Sequence, residues 1–545
     1  MEIEKYLEEF KETFLPDNFQ WRLGQKEAII SIIEAYENKT KVVILDAPTG
    51  TGKSLIAMAC AWIFNEKNKK CYILASDISL QEQYEKDFIK FKIQWGSIKG
   101  IDNYMCIDNM EKNSLGTCRI RNRAPKGMHC YFSCPYFNAR DKASESPTSL
   151  LNYAYWLIMQ NYANQHIPED ERIFPARDIT FCDEAHKILD IVQNHYSPRF
   201  DPELIEKLQE ITSFFKNYKV HDHDKDFQSI KVIVNSLFEI ENQDDLFKLL
   251  SRLEILIENY KPSIEALKDK IKEEYNNDEP PKEWKAALRI CDWIKDFHCK
   301  IEDYVEIISK TSTRNIIKNP SNDKELVFNC LEESYMMHKY FHQHSGFTVL
   351  MSATFADPSD YLKSIALSNA KYIKIDSSFD YSKSPIYFYN TKRMSYNQID
   401  ENLPWLYERI NEILDNHPNE NGIIHSASYN LTMKIHQNLS QKNKQRLLVY
   451  EGTSEKRKVL EILKSSSNKV LIGPSLMEGL DLKDNFARFS IIAKTPYMSL
   501  SDRFVKVKLQ INPRWYQWKA ILSILQSVGR TVRNDKDWCI TYYLD

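Results

Sequence analysis

The chain has little glycine and no long apolar run. Only 13 of its 545 residues are glycine, so a motif that contains glycine stands out from the rest of the sequence. The apolar stretch from Ile56 to Phe64 is far shorter than the roughly 18 residues that a membrane-spanning helix needs, so we expect no membrane association. Residues Met1 to Phe14 are rich in Glu and Lys and lack the apolar segment of a secretory signal, so we expect no such signal.

Cysteine number and composition narrow the class of protein further. The chain has 11 cysteines, an odd number, which argues for a reducing compartment and for metal binding by any cysteines that cluster. We therefore expect a cytoplasmic protein, associated with the nucleoid if it is bacterial, and a nuclear location stays open. Hydrophobic residues make up 43% and charged residues 27%, which excludes collagen-like, mucin-like and mostly disordered chains.

The net charge of −3 hides an asymmetry along the chain. Residues 190–345 contain 30 acidic and 22 basic residues, so this segment carries −8 and the remainder carries +5. A mildly basic body with an acidic insertion is compatible with binding a phosphate backbone on one face.

Alternating apolar strands and helices indicate an α/β protein. Strand-like runs at Val42–Leu45 and Cys71–Leu74 flank a predicted helix from Lys53 to Asn65, which is a parallel α/β unit. We further predict a helix from Leu150 to Met159 and a strand from Ile179 to Cys182. Residues 190–345 are predicted to be mostly amphipathic helix, and the α/β rhythm resumes near Phe347. The strands predicted in this last part are Thr348–Met351, Gly422–His425, Leu447–Tyr450, Lys469–Ile472 and Phe489–Ala493.

A phosphate-binding loop follows the first strand. Residues 47–54 read Ala-Pro-Thr-Gly-Thr-Gly-Lys-Ser, between a strand and a helix, where backbone N–H groups and the helix dipole favour phosphate. Lys53 is expected to neutralise the β- and γ-phosphate oxygens, and Ser54 to ligate Mg²⁺. The residues assigned to nucleotide binding in this loop are Thr49, Gly50, Thr51, Gly52, Lys53 and Ser54.

Two further elements complete the predicted catalytic set. Asp183 and Glu184 end the strand Ile179–Cys182, at the edge of a parallel sheet where ligands bind. Asp183 is expected to hold hydrated Mg²⁺, and Glu184 to orient and deprotonate the attacking water. Gln526, Arg530 and Arg533 share one face of a predicted helix, and their side chains suit a γ-phosphate that develops charge in the transition state.

Four cysteines between residues 101 and 140 form a candidate metal centre. Cys106, Cys118, Cys130 and Cys134 are separated by 11, 11 and 3 residues. Thiolates at this spacing leave an iron–sulfur cluster, zinc and unliganded core cysteines open. Four basic side chains lie within this loop and are either solvated or in contact with a nucleic-acid backbone; they are Arg119, Arg121, Arg123 and Lys126. The remaining seven cysteines are predicted to be core residues; they are Cys60, Cys71, Cys182, Cys291, Cys299, Cys330 and Cys539.

Taken together and in order, these motifs resemble the XPD/DinG family of superfamily 2 iron–sulfur DNA helicases. The other segments that carry the resemblance are Arg22–Gln25, Leu80–Tyr84, Asn152–Tyr153, Met351–Thr354, Ile423–Tyr429 and Met477–Asp481. The resemblance implies two RecA-like parallel-sheet domains that close over ATP, with the arginines supplied by the second. It also implies that Arg22 and Gln25 belong to a nucleotide-reading element in which Gln25 contacts adenine.

The family resemblance also organises the insertions. It favours a [4Fe–4S] cluster on Cys106, Cys118, Cys130 and Cys134, and a mostly helical arch over residues 190–345. The predicted segments are 1–100, 141–189 and 346–375 for the first RecA-like domain, 101–140 for the cluster domain, 190–345 for the arch, and 376–545 for the second RecA-like domain.

The resemblance implies ATP-driven movement on single-stranded DNA in the 5′ to 3′ direction, with unwinding of forked or tailed duplex DNA. It also implies a monomer that acts in DNA repair or a related pathway. Thr495 to Tyr497 either form a base-stacking surface or a simple turn. A nucleic-acid-stimulated ATPase that remodels complexes without unwinding is the alternative. A scaffold with a vestigial nucleotide site is disfavoured by the intact Lys53, Glu184 and Arg530.

Overall fold

The computed structural model describes residues 2–120, 128–164, 167–240, 243–275, 280–311, 316–322, 324–377, 380–388, 391–395, 397–450, 453–474, 484–528 and 537–545. Its strands are β1 (Val42–Asp46), β2 (Cys71–Ala75), β3 (Gly96–Ile98), β4 (Thr148–Asn152), β5 (Arg177–Cys182), β6 (Arg199–Phe200), β7 (Ile316–Asn322), β8 (Glu325–Cys330), β9 (Ser345–Ser352), β10 (Lys371–Lys374), β11 (Ile386–Phe388), β12 (Gly422–His425), β13 (Leu447–Val449), β14 (Val470–Gly473), β15 (Phe489–Ile492) and β16 (Ile540–Tyr543).

Helices connect these strands and build the insertion. They are α1 (Glu2–Phe14), α2 (Gln25–Glu37), α3 (Lys53–Glu66), α4 (Ile78–Lys90), α5 (Thr117–Ile120), α6 (Pro135–Glu145), α7 (Tyr153–Ile158), α8 (Ile188–Tyr196), α9 (Pro202–Asn217), α10 (Asp224–Glu239), α11 (Gln243–Glu258), α12 (Tyr260–Glu274), α13 (Lys282–Lys310), α14 (Glu333–Tyr340), α15 (Pro358–Ser364), α16 (Ile399–Asn416), α17 (Tyr429–Asn438), α18 (Gln441–Lys444), α19 (Thr453–Lys464), α20 (Arg503–Ile511) and α21 (Pro513–Val528). None of the helices in the described ranges has both the length and the apolar character needed to cross a membrane.

Two parallel sheets form the body of the molecule. The first has the strand order β10-β1-β9-β5-β2-β4-β3 and the second β11-β16-β15-β12-β14-β13. All pairings within these two sheets are parallel, and the central strands are buried on both faces, as parallel sheets covered by helices require. The prediction of two RecA-like domains is confirmed. The bounds given for the six segments stay predictions.

The helical insertion contains a small sheet that the sequence pattern does not reveal. Strands β6, β8 and β7 pair in that order, antiparallel, at its base. The other described elements of the insertion are mostly helices, as predicted, and the long helix α13 packs against α9, α11 and α12.

The helix predicted from Leu150 to Met159 is wrong over its first three residues. Residues 148–152 form strand β4, buried between β2 and β3. The Asn152 side chain then accepts a hydrogen bond from the Tyr155 N–H and caps α7, which continues into a π-helical turn at Met159–Ala163. A buried strand that runs directly into a buried helix gives one apolar run, which periodicity alone cannot divide.

Candidate nucleotide-hydrolysis site

The phosphate-binding loop lies between β1 and α3, at the carboxyl edge of the first sheet. Gly50 and Gly52 have φ angles of +85° and +80°, in the left-handed region that residues with a Cβ avoid. The Thr51 hydroxyl donates to the Pro48 carbonyl at 2.7 Å and closes the loop. The loop therefore makes a tight turn directly before the N-terminus of α3, the part of a helix that favours phosphate.

Lys53 and Ser54 begin α3 and lie where the sequence predicts. The Lys53 ammonium donates to the Ala47 carbonyl at 3.2 Å, across the loop. The Ser54 hydroxyl donates to an Asp87 carboxylate oxygen on α4 at 3.1 Å, and burial raises the pKa of Asp87. Magnesium binding by Ser54 would replace this hydrogen bond with a metal–oxygen contact.

Asp183 lies at the end of β5, and only 3% of its surface is exposed. Its carboxylate accepts hydrogen bonds from the Tyr84 hydroxyl at 2.8 Å and from the Glu184 N–H at 2.9 Å. Burial raises the pKa of Asp183 to about 6, and the Lys53 charge opposes that rise. The Asp183 carboxylate is a hard oxygen ligand of the kind that Mg²⁺ takes.

Glu184 is joined to the neighbouring strand through His186. The Nδ1 atom of His186 lies 3.4 Å from a Glu184 carboxylate oxygen and 2.9 Å from the Ser352 hydroxyl at the end of β9. The Ser352 hydroxyl donates its own proton to the Thr354 carbonyl at 2.7 Å. Its oxygen therefore accepts a hydrogen bond from the Nδ1–H of His186. The predicted general base is thus connected to the Met351–Thr354 motif.

Arg22 and Gln25 approach the phosphate loop from the N-terminal side. Gln25 is buried, and its side-chain amide donates to the Thr51 carbonyl at 2.6 Å. The Gln25 side-chain oxygen accepts the Arg22 N–H at 2.8 Å, and the Arg22 guanidinium donates to the Gly50 carbonyl. The structure therefore brings the predicted nucleotide-reading residues against the loop itself.

Helix α21 brings the second sheet's domain against the first. The Trp518 indole N–H donates to the Phe355 carbonyl at 2.8 Å, and the Lys519 ammonium contacts both Asp190 oxygens at 2.8 and 2.9 Å. Arg514 pairs with Asp357 and Asp360 on the first domain.

The last turn of α21 carries Gln526. Its amide nitrogen is buried without a hydrogen-bond partner in the described part of the chain. Arg530 and Arg533, predicted to act with Gln526, lie outside the described residues, as does the Met477–Asp481 motif.

The four clustered cysteines lie around short helical turns beside the first sheet. Cys106, Cys118 and Cys134 are buried and Cys130 is partly buried. Burial raises the pKa of Cys130, and the charge of Asp108 adds to the rise. The Asn113 amide nitrogen lies 3.4 Å from the Cys134 sulfur, the type of N–H to sulfur contact that tunes iron–sulfur centres. Arg121, Arg123, Lys126 and the side chain of Arg119 lie outside the part of the chain that the structure describes.

Sequence reasoning missed several residues of the site. Tyr84, Asp87 and His186 contact the predicted metal and base positions. Tyr84 and Asp87 are three residues apart on α4 and so share one face, which is a signal that the motif Leu80–Tyr84 could have given. The contact between Lys519 and Asp190 joins residues 329 apart in the chain and leaves no local signal.

Comparison with known proteins supports the same interpretation. Residues 18–220 match the family described as type III restriction enzyme, res subunit, and residues 410–545 match the helicase C-terminal domain family. The ATP-dependent DNA helicase YoaA of Haemophilus influenzae is 20% identical over 95% of this chain and 90% of its own length. A probable ATP-dependent helicase of Methanocaldococcus jannaschii, MJ0942, is 26% identical over 34% of this chain, and the match spans only about a third (31%) of that relative.

Two solved structures share the fold over nearly the whole chain. Xpd4 of S. tokodaii superposes with a TM-score of 0.60, at 15% identity, over 96% of this chain and 95% of its own. An apo XPD structure superposes with a TM-score of 0.57, at 18% identity, over 95% of both chains. The two family matches and the helicase relatives identify an ATP-dependent helicase, and the two structures show that the chain has the XPD fold over nearly its whole length.

Proposed function

We propose that the chain hydrolyses ATP to move 5′ to 3′ along single-stranded DNA and to unwind forked or tailed duplex DNA as a monomer. One arrangement carries the proposal. The phosphate loop, Asp183 and Ser352 end three strands, β1, β5 and β9, that neighbour one another in the first sheet, and α21 packs against the segment that follows Ser352. The direction of movement and the choice of DNA follow from the family resemblance.

The residues of the first domain divide the hydrolytic step among them. The loop N–H groups and Lys53 hold the phosphates, and Ser54 and Asp183 would hold Mg²⁺, which supplies charge neutralisation and orientation. Glu184 accepts a proton from water, the water oxygen forms a bond to the γ-phosphorus, and the bond to the leaving ADP oxygen breaks. Gln526, with Arg530 and Arg533, is proposed to stabilise the charge on the transferred group.

Helix α21 also offers a route from hydrolysis to DNA. Tyr497 stacks on Tyr516 of α21, with ring centroids 5.0 Å apart and 14° between planes, and Tyr497 is 48% exposed. An exposed tyrosine such as Tyr497 can stack on an unpaired base, worth about 1–3 kcal/mol per base. Since the same helix carries Gln526 and contacts Phe355, movement of α21 would reach both the nucleotide and the strand.

We propose that Cys106, Cys118, Cys130 and Cys134 hold a [4Fe–4S] cluster. The burial of three of the four cysteines and the Asn113 contact with Cys134 support this assignment. Among the described residues, no three of the four sulfurs lie within 4.8 Å of one another, whereas four thiolates around one zinc ion are about 3.8 Å apart. The cluster would hold the cysteine loop rigid, and Cys130→Ser should lose iron and unwinding together.

Turnover of site variants tests the nucleotide assignment. Lys53→Ala should lose ATP hydrolysis while keeping the wild-type circular dichroism spectrum, and Glu184→Gln should bind ATP but stall. Measurement of ATP hydrolysis with and without single-stranded DNA separates the two roles. Full activity of Lys53→Ala would contradict the site, and normal turnover of Glu184→Gln would exclude Glu184 as the base.

A further inference from the structure

Helix α13 carries three potential metal ligands outside the site already described. They are His298, Cys299 and Glu302, and their ligand atoms all lie within 4.8 Å of one another. His298 and Glu302 are four residues apart, so they share one face of the helix. Cys299 is partly buried, whereas Cys60, Cys71, Cys182, Cys291, Cys330 and Cys539 are buried, as predicted for core cysteines.

His298 is an unsatisfied polar group inside the insertion. Only 3% of its surface is exposed, and neither ring nitrogen has a hydrogen-bond partner in the described part of the chain. Its Nδ1 atom lies 3.9 Å from a Glu302 carboxylate oxygen, too far for a hydrogen bond. A buried imidazole without partners destabilises the fold, and a metal ion bound to it would remove that cost.

The spacing of these atoms suits one small cation between them. Around tetrahedral zinc, nitrogen, sulfur and oxygen ligands at about 2.0–2.3 Å from the ion are about 3.3–3.6 Å apart. Rotation of the Glu302 side chain, which is 54% exposed, is enough to shorten the 3.9 Å separation to that range.

The neighbouring helix α11 adds negative charge to this face. Glu258 acts electrostatically on His298, and Glu254 acts on Glu302. Lys261 contributes one opposing positive charge and pairs with Glu258 at 3.4 Å. The carboxylates outnumber the lysine, so the face attracts a divalent cation.

We propose that His298, Cys299 and Glu302 of α13 form a zinc site that stabilises the insertion. Imidazole, thiolate and carboxylate are the ligand types of zinc. Binding forms bonds from zinc to the His298 nitrogen, the Cys299 sulfur and a Glu302 oxygen, and the thiol proton passes to solvent. The site is separate from the four cysteines assigned to the iron–sulfur cluster.

Metal content and zinc titration test the site on the full-length chain purified anaerobically. Iron and zinc are counted per chain by elemental mass spectrometry after titration with ZnCl₂ alone. We expect one zinc per chain in wild type. Cys299→Ser and Glu302→Gln should each bind zinc at least about tenfold more weakly, with unchanged iron content. Cys291→Ser, eight residues earlier on α13, is the matched control and should bind zinc like wild type.

Two further readouts keep the test decisive. At the same zinc concentration, the thermal unfolding midpoint should rise more for wild type than for Glu302→Gln, because stabilisation of the folded state increases with affinity for the ligand. Titration with Co²⁺ should give a sulfur-to-metal absorption band that Cys299→Ser lacks. Absence of zinc binding in wild type overturns the proposal. Unchanged zinc binding in both Cys299→Ser and Glu302→Gln also overturns it, and so does loss of zinc binding in Cys134→Ser alone.

Discussion

Substitution of Gly52 by alanine should weaken ATP binding strongly while leaving the fold intact. A Cβ at this position would lie 2.7 Å from the Gln25 side-chain nitrogen, and the φ angle is +80°. The left-handed backbone costs an L-residue about 1–2 kcal/mol. Displacement of Gln25 breaks its 2.6 Å hydrogen bond to the Thr51 carbonyl, which costs about 1 kcal/mol more. The sum of about 2–3 kcal/mol corresponds to a loss of about 30- to 150-fold in affinity.

This cost should appear in binding rather than in stability. We expect the variant loop to relax away from the strained conformation when no nucleotide is bound, whereas phosphate binding requires that conformation. Isothermal titration calorimetry with Mg²⁺ and a non-hydrolysable ATP analogue measures the loss. Gly100→Ala is the matched control, because its φ is −53° and the nearest atom to its Cβ would be 3.5 Å away.

A double-mutant cycle separates the two contributions. In the double variant Gly52→Ala/Gln25→Ala, the steric contact is gone but the backbone strain remains. Its loss of binding free energy should therefore be about 1 kcal/mol smaller than the sum of the losses of the two single variants. An affinity of Gly52→Ala within threefold of wild type would refute the loop geometry. Strict additivity would refute the contact with Gln25.

Three other substitutions probe the metal position, the domain contact and the pH response. Tyr84→Phe removes a hydrogen-bond donor to the buried Asp183 carboxylate and so raises the pKa of Asp183 further. ATP hydrolysis by this variant should fall several-fold more at pH 6.5 than at pH 8, since protons compete with Mg²⁺ for the carboxylate at the lower pH. Lys519→Met removes the pair with Asp190 and should lower kcat several-fold with little change in the KM for ATP, as measured by steady-state kinetics. Burial lowers the pKa of His425 to about 4, so the unfolded chain binds a proton that the folded chain does not, and stability falls as pH drops from about 6.5 toward 4. His425→Leu should remove about 2 kcal/mol of the loss between pH 7.5 and 5, seen as a flatter dependence of the thermal midpoint on pH.

Each of these substitutions has a control in the chain. Tyr153→Phe removes a hydrogen bond to the Asp183 carbonyl rather than to its carboxylate, so the pH profile should not move. Lys442→Met breaks an exposed pair far from α21 in sequence and should leave kcat unchanged. His338→Gln alters an exposed histidine and should keep the wild-type pH dependence. A control that matches its test variant would contradict the corresponding prediction.

The phosphate loop and the Asp183–Glu184 pair are predictable because each is a local strand-to-turn transition. A short motif at the end of an apolar strand defines the backbone as well as the chemistry. The predicted strand Ile179–Cys182 is confirmed within β5, and the helix from Lys53 is confirmed as α3.

Contacts between distant parts of the chain could not be predicted in this way. Tyr84 and Asp183 are 99 residues apart, and His186 and Ser352 are 166 apart. Only the strand order of the sheet brings them together. Strand β7 escaped prediction because its sequence, Ile-Ile-Lys-Asn-Pro-Ser-Asn, contains proline and asparagine, which are rare in strands.

Strand separation tests the central claim most directly. The assay uses anaerobically purified protein, duplexes with a 5′ or a 3′ single-stranded tail, and Lys53→Ala as the control. The account predicts ATP-dependent unwinding of the 5′-tailed duplex alone, with none by Lys53→Ala. ATP hydrolysis stimulated by DNA without unwinding of either duplex would contradict it and favour a translocase that remodels complexes.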